Sequence, residues 1–422
     1  MTYRLPHAHG QSDTVQSPTP WSFKMRPDEA IVLIGQTPPP MAYFSYQTFL
    51  LLRDYEEEGP LKRIFATLGD TSNVLTVQTK GTKRDPFQQD VIFMSTGDNR
   101  IAEQVKRAAR KAGIPTKSVN TETLPSSLLR MGVEHESDEF AFIHRMFLPE
   151  KGYEQALEDY LNATQVVFRV SPADPIPPTQ PPDPFPTAKL RVRGTGTTEM
   201  DLAPAVKELR KAILQRYSGM STTDYTTGVW LTDGFDGLQR SFPEAIDMLG
   251  PTRDAIYLRS TPYLNLSDSP DDFLIVYGAN HEATQKATYG NFAIYGNSRP
   301  STSQYYGQDL LVGIKGKHTG QLAGTAVDYL PYNPSPILSD NVNKLYAYKV
   351  SRKCKTDDTN CLEITCNIVQ LPSDPEPKPC SELDLNGDLF VGWRIYLEKE
   401  TKVGPAFTEI LYDRVIKFSR SQ

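Results

Sequence analysis

Residues 90–113 read DVIFMSTGDNRIAEQVKRAARKAG and decide the fold class of the region around them. The apolar run at 90–95 predicts a buried strand, and the polar residues at 96–99 predict a turn. Residues 100–112 carry apolar side chains at helical spacing and precede a glycine, which is typical of an amphipathic helix that ends there. Residues 116–120 predict a further strand. This β-turn-α-β order favours a right-handed parallel crossover.

The flanking sequence extends the pattern on both sides. Apolar runs at 30–35 and 140–148 predict strands, whereas 155–161 predicts a helix that is followed by a strand at 165–170. Alternating strands and helices are typical of α/β proteins. We therefore expect an α/β first domain with a partly parallel sheet at residues 29–171.

Proline marks the predicted end of this domain. Eight of the residues at 172–186 are proline, which disfavours helices and central strands and favours an extended connector. We expect a flexible N-terminal tail at 1–28, a Pro-rich linker at 172–187 and a second domain at 188–422.

The second domain begins with a helical pattern at 202–217. It continues as short β-type runs that are separated by glycine, proline, asparagine and aspartate. These runs lie at 273–277, 291–295, 310–314, 345–350, 389–397 and 408–418. This spacing of strands and turns predicts an α+β domain that is β-rich and mostly antiparallel.

Charge is balanced along the chain. The chain has 45 Lys and Arg residues and 51 Asp and Glu residues, and neither sign forms a block along the sequence. We expect no nucleic-acid partner, because no basic stripe is present to bind phosphates. The longest apolar runs, such as 30–35 and 273–277, fall well short of the roughly 20 residues that a membrane-spanning helix needs.

The four cysteines, Cys354, Cys361, Cys366 and Cys380, are clustered near the C-terminal end. Their spacing does not match the paired C-x-x-C pattern of structural zinc sites. Two disulfides that staple the segment 354–380 are the favoured interpretation, and the pairing stays open. Free thiols or a metal site are the alternatives.

The N-terminal residues and the cysteines bear on the compartment. Residues 1–20 contain no apolar signal-peptide core, so the chain is either cytoplasmic or has already lost a leader. Disulfides form in oxidising compartments. We therefore expect a secreted or periplasmic protein, with a cytoplasmic protein as the alternative.

His281 follows the strand-like run at 273–278, a position from which side chains commonly project into a cleft. Because imidazole titrates near neutral pH, His281 is a candidate acid or base. Asn280 or Glu282 is a candidate to orient it, and Asn280 is also a candidate to contact a ligand. Lys286 and Tyr289 are candidates to bind a carboxylate or to stabilise an oxyanion together with His281. The alternative is that His281 caps the strand and the other two belong to an ordinary hairpin.

Polar segments at 41–48, 66–73 and 95–99 are expected to form loops at strand ends. In an open parallel sheet such loops converge on one crevice, where they can form the rim of a pocket. The candidate ligand-binding side chains are Tyr43, Ser45, Asp70, Asn73 and Asp98. Each of them is also a common turn former, which requires no ligand.

No established catalytic motif occurs in the chain. The leading hypothesis is a cofactor-independent enzyme of hydrolase or lyase type, without a metal, that acts on a small organic molecule in a cleft between the domains with His281 as acid or base. The alternative hypothesis is a non-catalytic, extracytoplasmic ligand-binding protein. A structural or partner-binding protein is the third, and the oligomeric state stays open.

Overall fold

The computed structural model of the protein describes residues 2–4, 22–55, 59–80, 85–163, 165–174, 183–186, 189–232, 246–298, 310–364 and 389–420. The chain groups into two compact units. The first unit comprises Met1–Arg191 and Asp233–Asp254, and the second comprises Val192–Thr232 and Ala255–Gln422. The described residues 246–254 therefore pack within the first unit, although the sequence analysis assigns them to the second domain.

The first unit contains nine of the described strands. They are β1 (Thr2–Arg4), β2 (Ala30–Gln36), β3 (Met41–Tyr55), β4 (Gly59–Thr67), β5 (Ser72–Asn73), β6 (Asp90–Thr96), β7 (Val119–Thr123), β8 (Glu139–Pro149) and β9 (Val166–Val170). Its α-helices in the described ranges are α1 (Asn99–Lys111) and α2 (Glu154–Asn162), and 3-10 turns lie at Thr116–Ser118 and Ser126–Leu128.

Two sheets build the first unit. One is an antiparallel sheet in the order β1-β8-β3-β4, with β5 beside β3, and the other has the order β7-β6-β2-β9. In the second sheet β6 and β7 are parallel, with Ile92 opposite Val119, whereas β2 is antiparallel to both of its neighbours. The predicted mixed α/β content and the partly parallel sheet are confirmed, and the quoted segment at 90–113 forms β6 and α1.

The expectation of a loop at 41–48 is wrong. These residues begin β3, which pairs with β8 along nearly its whole length and with β4 and β5 on its other edge. The alternation of polar and aromatic residues in this segment reflects a strand with different environments on its two faces.

The second unit contains the remaining described strands. They are β10 (Met220–Leu231), β11 (Ala255–Thr261), β12 (Phe273–Ala279), β13 (Tyr289–Ser298), β14 (Leu310–His318), β15 (Leu345–Ser351), β16 (Cys361–Glu363), β17 (Leu389–Tyr396) and β18 (Arg414–Arg420). Its described α-helices are α3 (Ala203–Arg216), α4 (Thr319–Leu322) and α5 (Pro336–Ser339), and 3-10 turns lie at Met200–Leu202, Thr325–Tyr329 and Val342–Lys344.

These strands follow one another in the order β14-β13-β17-β11-β10-β18-β12-β15-β16. All neighbouring pairs are antiparallel except β15 and β16. One core cluster lies on the face that carries Leu258, Phe292 and Trp393, and a second lies where Leu209 and Ile213 of α3 pack against β12. Because side chains alternate between the two faces of a strand, the other residues of β11, β13 and β17 point away from the first core cluster.

A disulfide joins Cys354, which lies three residues after β15, to Cys361, the first residue of β16. Cys366 and Cys380 lie outside the described residues, so a second disulfide stays a prediction. Within the described ranges, no helix combines the length and the apolar character that crossing a bilayer requires.

Candidate functional site

A layer of arginine and tyrosine side chains covers one face of β11, β13 and β17. In the antiparallel register Tyr257 lies opposite Arg394, and Asn291 lies opposite Arg394 from the other side. Directly opposed residues point to the same face of a sheet, as do residues two apart on one strand. The face therefore comprises Tyr257, Arg259, Tyr289, Asn291, Tyr295, Arg394 and Tyr396, and we call it the arginine–tyrosine face.

Arg394 lies at the centre of this face. The carbon of its guanidinium is 5.8 Å from the ring centroid of Tyr257 and 5.5 Å from that of Tyr295, which are distances of cation–π contact. Among the residues that the structure describes, no carboxylate lies within ion-pair distance of Arg394, and its Nε has no hydrogen-bond partner. A buried donor without a partner costs about 1–3 kcal/mol. The residue as a whole is only half-buried, although its Nε is buried.

Arg259 lies on the same face, on the neighbouring strand. It is opposite Gly392, two positions from Arg394, and its guanidinium carbon is 6.0 Å from the ring centroid of Tyr263. Tyr263 is 45% exposed, so this end of the face is open to solvent. No carboxylate of the described chain pairs with Arg259 either.

Gly392 makes room for the aromatic rings of this region. A Cβ at this position would lie 2.7 Å from the ring of Tyr295 and 3.2 Å from that of Trp230. The Trp230 and Tyr295 rings meet edge to face with centroids 5.0 Å apart, and Tyr295 stacks on Phe390 at 5.2 Å. Because glycine has no side chain, these rings can lie close over the strand.

The predicted acid or base, His281, is enclosed in a different cluster. Its Nδ1 lies 2.9 Å from Oε1 of Glu199, its Nε2 lies 3.2 Å from Oδ2 of Asp413, and the residue is only 3% exposed. Burial lowers the pKa of His281, but the two carboxylates outweigh it, and the pKa is raised well above its ordinary value. His281 is therefore a buried imidazolium with both ring nitrogens engaged. Its role in catalysis stays a prediction.

Further hydrogen bonds support both carboxylates of this cluster. Glu199 accepts hydrogen bonds from the hydroxyl of Thr284 and from the backbone N–H of Leu411, the latter at 2.8 Å. Tyr346 donates to Asp413 at 2.6 Å, and Trp393 Nε1 donates to the hydroxyl of Tyr346 at 3.0 Å. The cluster is thus a hydrogen-bonded network across several strands rather than an isolated ion pair.

Lys286, Tyr289 and Asn280 do not join His281 in one catalytic group. The ammonium of Lys286 is 2.6 Å from both Glu398 and Glu409, so this lysine is held by its own two carboxylates. Tyr289 lies on the arginine–tyrosine face, where Asn291 donates to its hydroxyl at 3.0 Å. Asn280 accepts hydrogen bonds from the backbone N–H groups of the next turn and thereby caps it.

Three of the predicted ligand-binding residues gather in the first unit around Asp254. The hydroxyl of Tyr43 lies 2.8 Å from Oδ2 of Asp254 and 2.7 Å from Oγ of Ser45, and Asn73 Nδ2 donates to Oδ1 of Asp254 at 2.9 Å. Thr71 also donates to Asp254. Burial raises the pKa of Asp254, although these donors oppose that shift. All of these residues are buried, so in this structure they surround a carboxylate.

The other two residues of that prediction have different neighbours. Asp70 pairs with Arg253 at 2.8 Å and accepts the backbone N–H of Arg191 at 2.7 Å. Asp98 is the N-cap of α1, where its side chain accepts the N–H of Arg100 at 2.7 Å. An aspartate at this position is a common helix cap.

The disulfide region contains a possible metal-ligand group. The ligand atoms of Cys354, Asp358 and Cys361 lie within 4.8 Å of one another. Because the two sulfurs are bonded to each other, only the carboxylate of Asp358 can act as a ligand while the disulfide persists.

The sequence analysis did not identify Arg394 and Arg259. A signal was present: the run at 389–397, LFVGWRIYL, has one charged residue in an otherwise apolar strand. A charged residue in such a run needs a partner or a function. The tyrosines around it come from other strands, so local sequence could not place them there.

No protein-family model and no curated protein matches this chain. Among solved structures, the chain is similar at a TM-score of 0.38 to the crystal structure of an uncharacterized protein from Burkholderia cenocepacia. The two chains are 9% identical, and the similarity covers 96% of this chain and 77% of the other.

Proposed function

We propose that this protein binds a small organic anion, with a carboxylate or phosphate group, at the arginine–tyrosine face. The observation that carries this proposal is the guanidinium of Arg394, which has no carboxylate partner among the described residues. Arginine stays charged at any physiological pH. A permanent, half-buried charge without a counter-ion is costly to the folded protein and favourable for an incoming anion.

The tyrosines around Arg394 fit the same function. Tyr257, Tyr289 and Tyr295 supply flat apolar surface, and Asn291 adds an amide that can orient a polar group. Ligand sites for small molecules combine mostly apolar walls with a few placed polar groups. The set therefore supports a binding protein more directly than it supports a catalyst.

Hydrolase or lyase chemistry at His281 has less support from the geometry. A general base must offer a nitrogen to the proton that it removes. Both nitrogens of His281 already lie within hydrogen-bond distance of carboxylates, and the ring is buried. We therefore prefer the binding function to the enzyme hypothesis.

The Cys354–Cys361 disulfide supports a secreted or periplasmic location as part of this proposal. Intact mass after alkylation, with and without prior reduction, tests the oxidised state of the purified protein. Protein whose four thiols are all alkylated without reduction would contradict the proposed location.

Isothermal titration with valerate, benzoate and phenyl phosphate tests the binding function. We expect at least one of these anions to bind at millimolar or lower concentration, and Arg394→Met to weaken that binding at least tenfold. Arg394→Lys should retain part of the affinity, because it keeps the charge but loses the bidentate geometry.

The matched control is Arg210→Met, since Arg210 pairs with Asp224 on the surface of α3. It should bind the anions as the wild-type protein does. Equal anion affinity in the wild-type protein and in Arg394→Met, or no binding of any anion, would overturn the proposed function.

A further inference from the structure

The two arginines of the arginine–tyrosine face lie on neighbouring strands. Arg259 is opposite Gly392, and Arg394 is opposite Tyr257, so the two arginines occupy diagonal positions of the β11–β17 pair. Diagonal positions of an antiparallel pair are roughly 7–8 Å apart, with the side chains on one face. Long side chains at such positions reach a common ligand.

Neither guanidinium is neutralised by a carboxylate of the described chain. Two like charges at diagonal positions of a strand pair repel each other. A ligand with one negative charge neutralises one of these arginines and leaves the other without a counter-ion. A ligand with two negative charges compensates both.

The surface between the two arginines is apolar. Gly392 lies directly opposite Arg259 and two positions from Arg394 on β17, and the rings of Tyr295 and Trp230 lie over this glycine. A short hydrocarbon or aromatic spacer between two acidic groups would contact these rings, whereas a strongly hydrated spacer would lose its water there. The two positive charges and the apolar surface therefore both favour a ligand that has two acidic groups on a short apolar spacer.

From this arrangement we infer that the ligand is a dianion with its two acidic groups separated by a short apolar spacer, such as a dicarboxylate. One acidic group binds Arg394 between the tyrosines, and the other binds Arg259 at the end of the face near the exposed Tyr263. This inference rests on the proposed function and names the ligand class of the same site.

The test compares dicarboxylates from succinate to suberate with monocarboxylates of the same chain length, by isothermal titration at pH 7 and low ionic strength. For example, glutarate is compared with valerate, in which a methyl group replaces one carboxylate. We expect one dicarboxylate to bind at least tenfold more tightly than its monocarboxylate. In Arg259→Met the ratio of the two affinities should fall to about one.

Arg210→Met serves again as the control and should keep the wild-type ratio. If the wild-type protein binds each pair with equal affinity and Arg259→Met changes nothing, the dianion inference is wrong and the proposed function stands. If neither acid binds and Arg394→Met has no effect, the proposed function itself is wrong, and the inference is wrong with it.

Discussion

The residues that surround His281 in the structure are not its neighbours in the sequence. Its ring lies between the carboxylates of Glu199 and Asp413, which come from distant parts of the chain. The hydroxyls of Thr284 and Tyr346 donate hydrogen bonds to these two carboxyl groups and offset part of the cost of burying them. The histidine thus stabilises two buried acids.

Replacing His281 should therefore destabilise the fold strongly. His281→Ala leaves both carboxylates buried without a cation, and breaking a buried pair in this way costs about 3–5 kcal/mol. Urea denaturation of the wild-type and variant proteins measures the free energy of unfolding. His135→Ala is the control, because the His135 side chain is 81% exposed and should change stability by less than about 1 kcal/mol. Equal stability of His281→Ala and the wild-type protein would contradict this role.

The raised pKa of His281 also predicts a pH dependence. The native state keeps this proton at pH values where the unfolded chain, with a histidine pKa of about 6.5, has lost it. The stabilisation is therefore fully present below about pH 6.5 and is lost as pH rises through the native pKa. The difference in unfolding free energy between the wild-type protein and His281→Ala should shrink from pH 6 to pH 9. A difference that stays constant or grows would show that His281 is not held as a cation.

At the scale of the element, β17 has different chemistry on its two faces. Val391, Trp393 and Ile395 face the core, whereas Phe390, Gly392 and Arg394 lie under the tyrosines. This strict alternation is the two-residue period of a strand. The face requires a glycine at position 392, because aromatic rings occupy the space that a side chain there would need.

Gly392→Ala should disturb the arginine–tyrosine face. The added Cβ would meet the rings of Tyr295 and Trp230, and overpacking of this kind costs about 1–3 kcal/mol. We expect a lower melting temperature and a shift in tryptophan fluorescence. Gly228→Ala in β10 is the matched control, since its Cβ would meet no heavy atom within 4 Å. A Gly392→Ala variant as stable as Gly228→Ala would argue against close ring packing over this strand.

At the scale of the whole molecule, the first unit is discontinuous in sequence. The segment 246–254 belongs to it: Met248 donates its N–H to Ile64 at 2.8 Å, and Asp247 pairs with Arg63. Asp254 closes the segment as the buried acceptor of several hydrogen bonds. The first unit therefore needs residues that follow the proline-rich region by about sixty positions.

A fragment of residues 1–187 should not fold stably. It ends at the predicted linker and lacks Asp254, so the polar groups of Tyr43 and Asn73 lose their buried acceptor. We expect no cooperative thermal transition by circular dichroism, in contrast to the full chain. A fragment that melts cooperatively with native-like β content would instead support a continuous first domain at 29–171.

Local sequence patterns predicted several of the helices and strands but little of the site. The pattern at 90–113 predicted β6 and α1 because periodicity is a property of neighbours, and clustered cysteines pointed to the disulfide for the same reason. Which side chains come into contact depends on the fold. Arg394 lies among the tyrosines of two other strands because of the strand register. His281 lies between two carboxylates that are 82 and 132 positions away along the chain.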